Sequence, residues 1–114
     1  MTVLLVLNTL AAVVSALSSM LAVARPALMT RSSAPSGGER FYAQAYAARA
    51  VPFGVAAAVL PLVGRGFPAA LVLFAAAATQ LADVAIGLWS KEKGMIAGGG
   101  TLSVIHLITA IAVL

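Results

Sequence analysis

Of the chain's 114 residues 62% are hydrophobic and only 9% charged, with a mean hydropathy of +1.08, whereas a globular chain carries about 25% charged residues; seven basic and three acidic side chains cannot solvate the surface of a soluble fold. The length admits one domain, and the lack of cysteine excludes disulfide frameworks, thiolate metal sites and thiol nucleophiles. The net charge of +4 lies scattered between apolar runs, which reads as membrane topology and argues against a nucleic-acid partner.

Apolar runs occupy residues 2–24, 41–63, 68–89 and 95–114. Each approaches the ~20 residues that cross a ~30 Å hydrocarbon core as helix. Backbone groups find no water there, and the Ala and Leu content favours helices over a barrel. The expected fold is all-α: one integral membrane four-helix bundle over residues 1–114, running up-down-up-down. Ala22-Val23-Ala24 has the small-x-small form of a signal cleavage site. No basic residue precedes the first run, however, and it exceeds the roughly 7 to 15 residues of a signal core, so a retained helix is expected.

The stretch 25–40, rich in Ser, Gly and Pro, is the one real loop, and the Ser36 to Glu39 spacing of a capping box starts the second helix just after Ser36. The connections Gly64-Arg65-Gly66-Phe67 and Ser90-Lys91-Glu92-Lys93-Gly94 are short, so sequence neighbours should be antiparallel neighbours. Loops one and three hold Arg25, Arg31, Arg40, Lys91 and Lys93, against Arg65 alone in loop two and the termini. This bias places loops one and three in the cytoplasm and both termini outside. Trp89, Phe41 and Tyr42 then lie at the cytoplasmic interface.

Three ionisable residues interrupt the spans: Arg49, Asp83 and His106. Such groups cost about 2.5 to 3.5 kcal/mol each at a helix centre and mark functional sites by default. At ~1.5 Å rise per residue they lie about 12, 9 and 16 Å from the cytoplasmic ends, which places them in one layer. Counted outward from the turn at Arg65 and Gly66, Arg49 and Asp83 are level to within roughly 1.5 Å, which predicts a direct ion pair. Tyr42, Tyr46, Arg49 and Phe53 share one face of the second helix; Gln80, Asp83 and Gly87 share one face of the third. Ser103, His106 and Thr109 form a stripe on the fourth, and Asn8, Ser15 and Ser18 or Ser19 on the first. Four inward stripes make a lined cavity; the plainer reading of the small residues is close helix packing. Pro52, one turn after Arg49, removes a donor and kinks its helix. If Gly98-Gly99-Gly100 is helical, Gly94 and Gly98 make a GxxxG contact. The run lacks the Lys-Ser/Thr of a phosphate loop. One His and one Asp make no metal cluster, so neither a metal nor a cofactor is expected.

Arg25-Pro26 after the first span, Ala48-Arg49 followed by Gly54, and Ala82-Asp83 followed by Gly87 resemble the small four-helix bacterial membrane proteins of the DoxX-like kind. The likeness covers spans one to three and implies architecture only. The size and helix count are also similar to those of the small multidrug transporters, whose essential acidic residue in span one has no counterpart here, where Asn8 and serines stand. The expected location is the bacterial inner (plasma) membrane. The expected partners are the lipid bilayer and an apolar small molecule, with a homo-oligomer left open.

These residues favour an intramembrane acid–base enzyme, of cyclase, isomerase or epoxide-opening type, on an apolar lipid-like or terpenoid molecule. Such reactions need a proton donor and an acceptor in a dry pocket, with a counter-charge nearby. Asp83 would be the acid or base and His106 its complement, with Arg49 and Tyr46 as charge and hydrogen-bond partners. Gln80, Ser103, Ser15 and Phe53 would bind the substrate, with Phe74 an alternative wall. A proton-coupled carrier using Asp83, or an accessory subunit with the polar layer as an assembly lock, are the alternatives. The topology is tested in this cysteine-free chain by Ser33→Cys and Gly66→Cys, which should label from opposite faces of the membrane. Labelling of Gly66→Cys from the cytoplasmic side would reject the orientation.

Overall fold

The computed structural model describes residues 1–30 and 33–114. Arg31, one of the cations counted for loop one, lies outside the described residues. The helices are α1 (Thr2–Ala24), α2 (Pro26–Thr30), α3 (Gly37–Val63), α4 (Phe67–Ser90) and α5 (Lys93–Val113). Four of them are long and apolar enough to cross a membrane, and the all-α bundle is an integral membrane protein. Its extents are 45 × 24 × 19 Å. The long axis matches the ~40–45 Å of a bilayer with its headgroups.

Local chemistry sets the helix ends. Ser36 accepts from the Glu39 backbone N–H and the Glu39 carboxylate accepts from the Ser36 N–H, closing the capping box that starts α3. The connection between α3 and α4 turns on Gly66, whose φ of 96° is open to glycine and strained for other residues. The Gly66 N–H donates to the Val113 carbonyl at 2.7 Å, satisfying one of the orphan carbonyls at the end of α5 and tying loop two to the C-terminal helix. At the other end of the bundle Lys91 takes the left-handed conformation that stops α4, and the N–H of Glu92 returns to the Gly87 carbonyl at 2.8 Å. The short helix α2 inside loop one was not expected from its Ser, Gly and Pro content.

The helices pair unequally. The most extensive interfaces are α1 with α3 and α4 with α5, while α1 touches α5, and α3 touches α4, only lightly. The molecule is therefore two tight hairpins facing each other. Helices in lipid gain nothing by leaving water, so close approach of backbones through small residues holds each hairpin together. In the first, a Cβ added at Gly54 would lie 3.1 Å from the Ala16 Cβ and 3.2 Å from the Ala12 carbonyl. In the second, a Cβ on Gly99 would meet the Gln80 carbonyl at 2.8 Å and a Val84 methyl at 3.0 Å.

Residues 98–100 are helical, yet the anticipated contact through Gly94 and Gly98 does not form, since both face open space. Gly99, one position on, is the residue turned toward α4. Gly99→Ala should therefore cost about 1 to 3 kcal/mol through overpacking against a backbone carbonyl that cannot yield. Gly98→Ala should be neutral or stabilise by up to about 1 kcal/mol through helix propensity. Thermal unfolding in detergent micelles separates the two; equal midpoints would remove Gly99 from the interface.

Candidate functional site

Between the hairpins, where α3 and α4 stand apart, lies a cavity of about 670 Å³. Arg49, Thr79 and Ala82 at its α3 and α4 rims are exposed, whereas Ala12, Gln80 and His106 at its floor are buried. It is thus a cleft entered between α3 and α4. Its volume falls within the ~300–1,000 Å³ of small-molecule sites. Alanines of α1, α3 and α4 and the Phe53 ring make most of its wall.

Seven of the eight residues given catalytic or substrate-binding roles from the sequence line this one cleft: Tyr46, Arg49 and Phe53 from α3, Gln80 and Asp83 from α4, Ser15 from α1 and His106 from α5. Gln80 donates to the Ser15 hydroxyl at 3.1 Å, bracing α4 against α1. The eighth, Ser103, is turned away; its hydroxyl donates to the Ala77 carbonyl at 3.1 Å and locks α5 onto α4. Tyr42, though on the Arg49 face by spacing, is 73% exposed and outside the cleft. Phe74 does not line it either. Ser19 and Thr109 return their hydroxyls to carbonyls of their own helices at 2.6 and 2.7 Å.

Two expectations about geometry are corrected. Arg49 and Asp83 line the same cleft, but among the described residues no ion pair joins them. A count of height along the chain does not bring side chains together when the cleft holds their helices apart; the Tyr46 phenol lines the same space. The three ionisable groups also do not share a layer. Gly99 packs between Gln80 and Val84, which places it level with Asp83. His106 is seven residues further along α5, or about 10 Å deeper. α5 begins at Lys93, two residues before the apolar run, and apolar spacing carries no register of α5 against α4.

Sequence reasoning placed Asn8 on a polar stripe and missed its task. Its side-chain amide donates to the Ala57 carbonyl of α3 at 2.9 Å, and its carbonyl oxygen lies 2.7 Å from Nδ1 of His106 on α5. Asn8 and His106 are 0% and 1% exposed, so this chain of contacts runs through the dry centre of the bundle. The signal was available: Asn8 is the sole asparagine, deep in an apolar run, and an amide there must find partners. Nε2 of His106 makes no hydrogen bond among the described residues. Since no buried polar side-chain atom there is left unpaired, that nitrogen opens onto the cleft.

The chain matches no protein-family model, no curated protein and no solved structure. The arrangement itself is what speaks to chemistry: a carboxyl, a guanidinium, a phenol and a bare imidazole nitrogen facing one apolar space. Asn8→Ala should destabilise the bundle by about 1 to 3 kcal/mol for each buried group it leaves unpaired. Ser18→Ala, which removes only a bond from an exposed hydroxyl to its own helix, should change stability by under about 0.5 kcal/mol. Unfolding midpoints in a common detergent check both, and an Asn8→Ala protein as stable as the parent would contradict the network.

Proposed function

We propose that the chain is an intramembrane acid–base enzyme whose substrate is an apolar, lipid-like or terpenoid molecule entering the cleft from the bilayer between α3 and α4. One observation carries this reading. The Asp83 carboxyl, the Arg49 guanidinium and Nε2 of His106 line one apolar cleft without a hydrogen bond or ion pair among the described residues. Polar groups in hydrocarbon are costly when unpaired, and groups kept in that state are groups kept for a ligand. With loops one and three in the cytoplasm, Arg49 and Asp83 stand toward the cytoplasmic side and His106 near mid-membrane.

The separation of Asp83 from His106 favours a reaction with two distant proton transfers. In a cyclisation, the Asp83 carboxyl donates a proton to an epoxide oxygen or alkene carbon at one end of the substrate, and the epoxide C–O bond or the alkene π bond breaks to leave an electron-deficient carbon. The electron pair of an internal alkene forms the new carbon–carbon bond, and the resulting cation loses a proton to His106 Nε2 at the other end. The product is an isomer of the substrate, and the two side chains regain their starting protonation by exchange with water. Arg49 and Tyr46 hold the Asp83 end through charge and hydrogen bonding, and Phe53 faces the apolar body. Two proton transfers at one carbon pair, as in a double-bond shift, fit a ~10 Å separation poorly.

The test is incubation in D2O with monoterpene-, sesquiterpene- and diterpene-sized alkenes and epoxides, read by mass spectrometry for an isomeric product, which from an alkene carries one carbon-bound deuteron and from an epoxide a new, exchangeable hydroxyl. Asp83→Asn, which keeps size and polarity, should abolish that product while the protein still folds and binds. An Asp83→Asn protein with full turnover would make Asp83 structural. Proton-coupled solute uptake into proteoliposomes, with no isomer formed, would replace the enzyme by a carrier.

A further inference from the structure

The environment of the chain's single histidine specifies more than its presence in the cleft. The Ala57 carbonyl can only accept a hydrogen bond, so the Asn8 amide must turn its N–H toward it. The oxygen of that amide then necessarily faces His106 Nδ1, 2.7 Å away. An amide oxygen only accepts, so the hydrogen between them belongs to Nδ1. A neutral ring with hydrogen on Nδ1 carries a lone pair on Nε2, the nitrogen that opens onto the cleft. In water a neutral imidazole side chain prefers the opposite tautomer. The bundle reverses that preference with a single backbone carbonyl, transmitted through one asparagine.

We infer that Asn8 is a positioning residue that locks His106 in its Nδ1–H tautomer, so that the cleft floor presents a bare Nε2 acceptor and selects apolar molecules bearing a hydroxyl. Asparagine suits this task better than aspartate. A carboxylate at this place would stabilise the protonated imidazolium, in which both nitrogens donate and neither accepts. The cleft supplies the rest of the selection: alanine walls for a hydrocarbon body, and His106 as the one polar side chain of α5 among its lining residues, since Ser103 and Thr109 do not line it and turn to carbonyls of α4 and α5. The ligand part rests on the proposed function in taking the cleft as the substrate site, whereas the tautomer does not.

Because there is one histidine, ¹⁵N-histidine labelling yields one imidazole. Its two-bond ¹⁵N–¹H correlation spectrum in micelles should show a protonated Nδ1 and an unprotonated Nε2. Farnesol should shift the Nε2 resonance to lower frequency, as hydrogen bonding to a lone pair does, and the saturated hydrocarbon of the same skeleton should leave it in place. In Asn8→Leu the ring should revert to the Nε2–H form or to a mixture, and farnesol affinity should fall about tenfold, the worth of one hydrogen bond. Should Asn8→Leu fail to fold, Asn8→Asp serves, with both nitrogens expected to be protonated and the farnesol shift lost. An Nε2–H or averaged pattern in the parent protein would overturn the lock whether or not any substrate is turned over. Equal responses to farnesol and hydrocarbon would overturn the ligand class with the tautomer intact, and leave the acid–base reading to its own isotope test.

Discussion

Asn8 joins three of the four long helices through one side chain. From α1 it donates to a carbonyl of α3 and accepts from the imidazole of α5. Every hydrogen bond it makes replaces water that is absent at this depth, so none can be surrendered without leaving a buried polar group unpaired. The link also crosses between the hairpins, fixing α5 relative to α1 and α3, whereas contacts between the hairpins are otherwise sparse. The cleft has a definite shape because this bridge and the Gln80 to Ser15 bond hold its floor. Its open side needs no comparable bond, since α3 and α4 are joined at one end by a short turn that Val113 anchors.

The distribution of small residues explains why space remains at all. Gly54 and Gly99 draw backbones together within each hairpin, and buried alanines such as Ala12, Ala57 and Ala76 lie where the hairpins meet. Glycine against a ridge closes an interface, while alanine against alanine across two splayed helices leaves a gap that neither can fill. The same apolar economy therefore gives tight packing inside the hairpins and a cavity between them. A larger residue at Ala76 or Ala57 would fill the space and add dispersion contacts, so emptiness here is a property of the chosen side chains and not of the helix geometry.

The helices were legible because hydrocarbon demands long apolar runs, and the start of α3 was legible because a capping box is a local device needing four residues. Helix pairing was legible only in part: the short third connection made α4 and α5 close neighbours, as they are, but the equally short second one joins α3 to α4, which touch only lightly. Each helix carries a polar stripe, and four stripes are compatible with several neighbour relations; the pairing follows from Gly54 and Gly99, whose contacts depend on the partner surface. The expected Arg49–Asp83 pair shows the limit well: height can be counted outward from the turn at Arg65 and Gly66, but lateral distance depends on how far α3 and α4 splay. His106 was misplaced for a related reason, since its depth rests on whether residues 98–100 are helical and on the register of α5 against α4. The convergence of Tyr46, Arg49, Asp83 and His106 on one space could be read because ionisable groups in lipid have few places to go. The role of Asn8 could also have been read, by asking what partners a lone amide would need.

A molecule that reaches this cleft from the bilayer differs from one that enters a soluble enzyme. It has already left water, so burial of its hydrocarbon gives no hydrophobic gain, and the Ala-rich wall offers it about what lipid chains offer. Shape and dispersion alone would then discriminate weakly between a substrate and the acyl chains around it. The polar groups supply the difference. A hydroxyl, epoxide or other oxygen function has no good partner among lipid tails, whereas the cleft offers Arg49, Asp83 and Tyr46, with His106 about 10 Å deeper than Asp83. Each such contact is formed in a medium of low dielectric, where a hydrogen bond is stronger than in water. Under the proposed function affinity and reactivity would therefore arise from the same few side chains: the groups that would hold an oxygenated apolar molecule against a sea of lipid are also the groups that would move its protons.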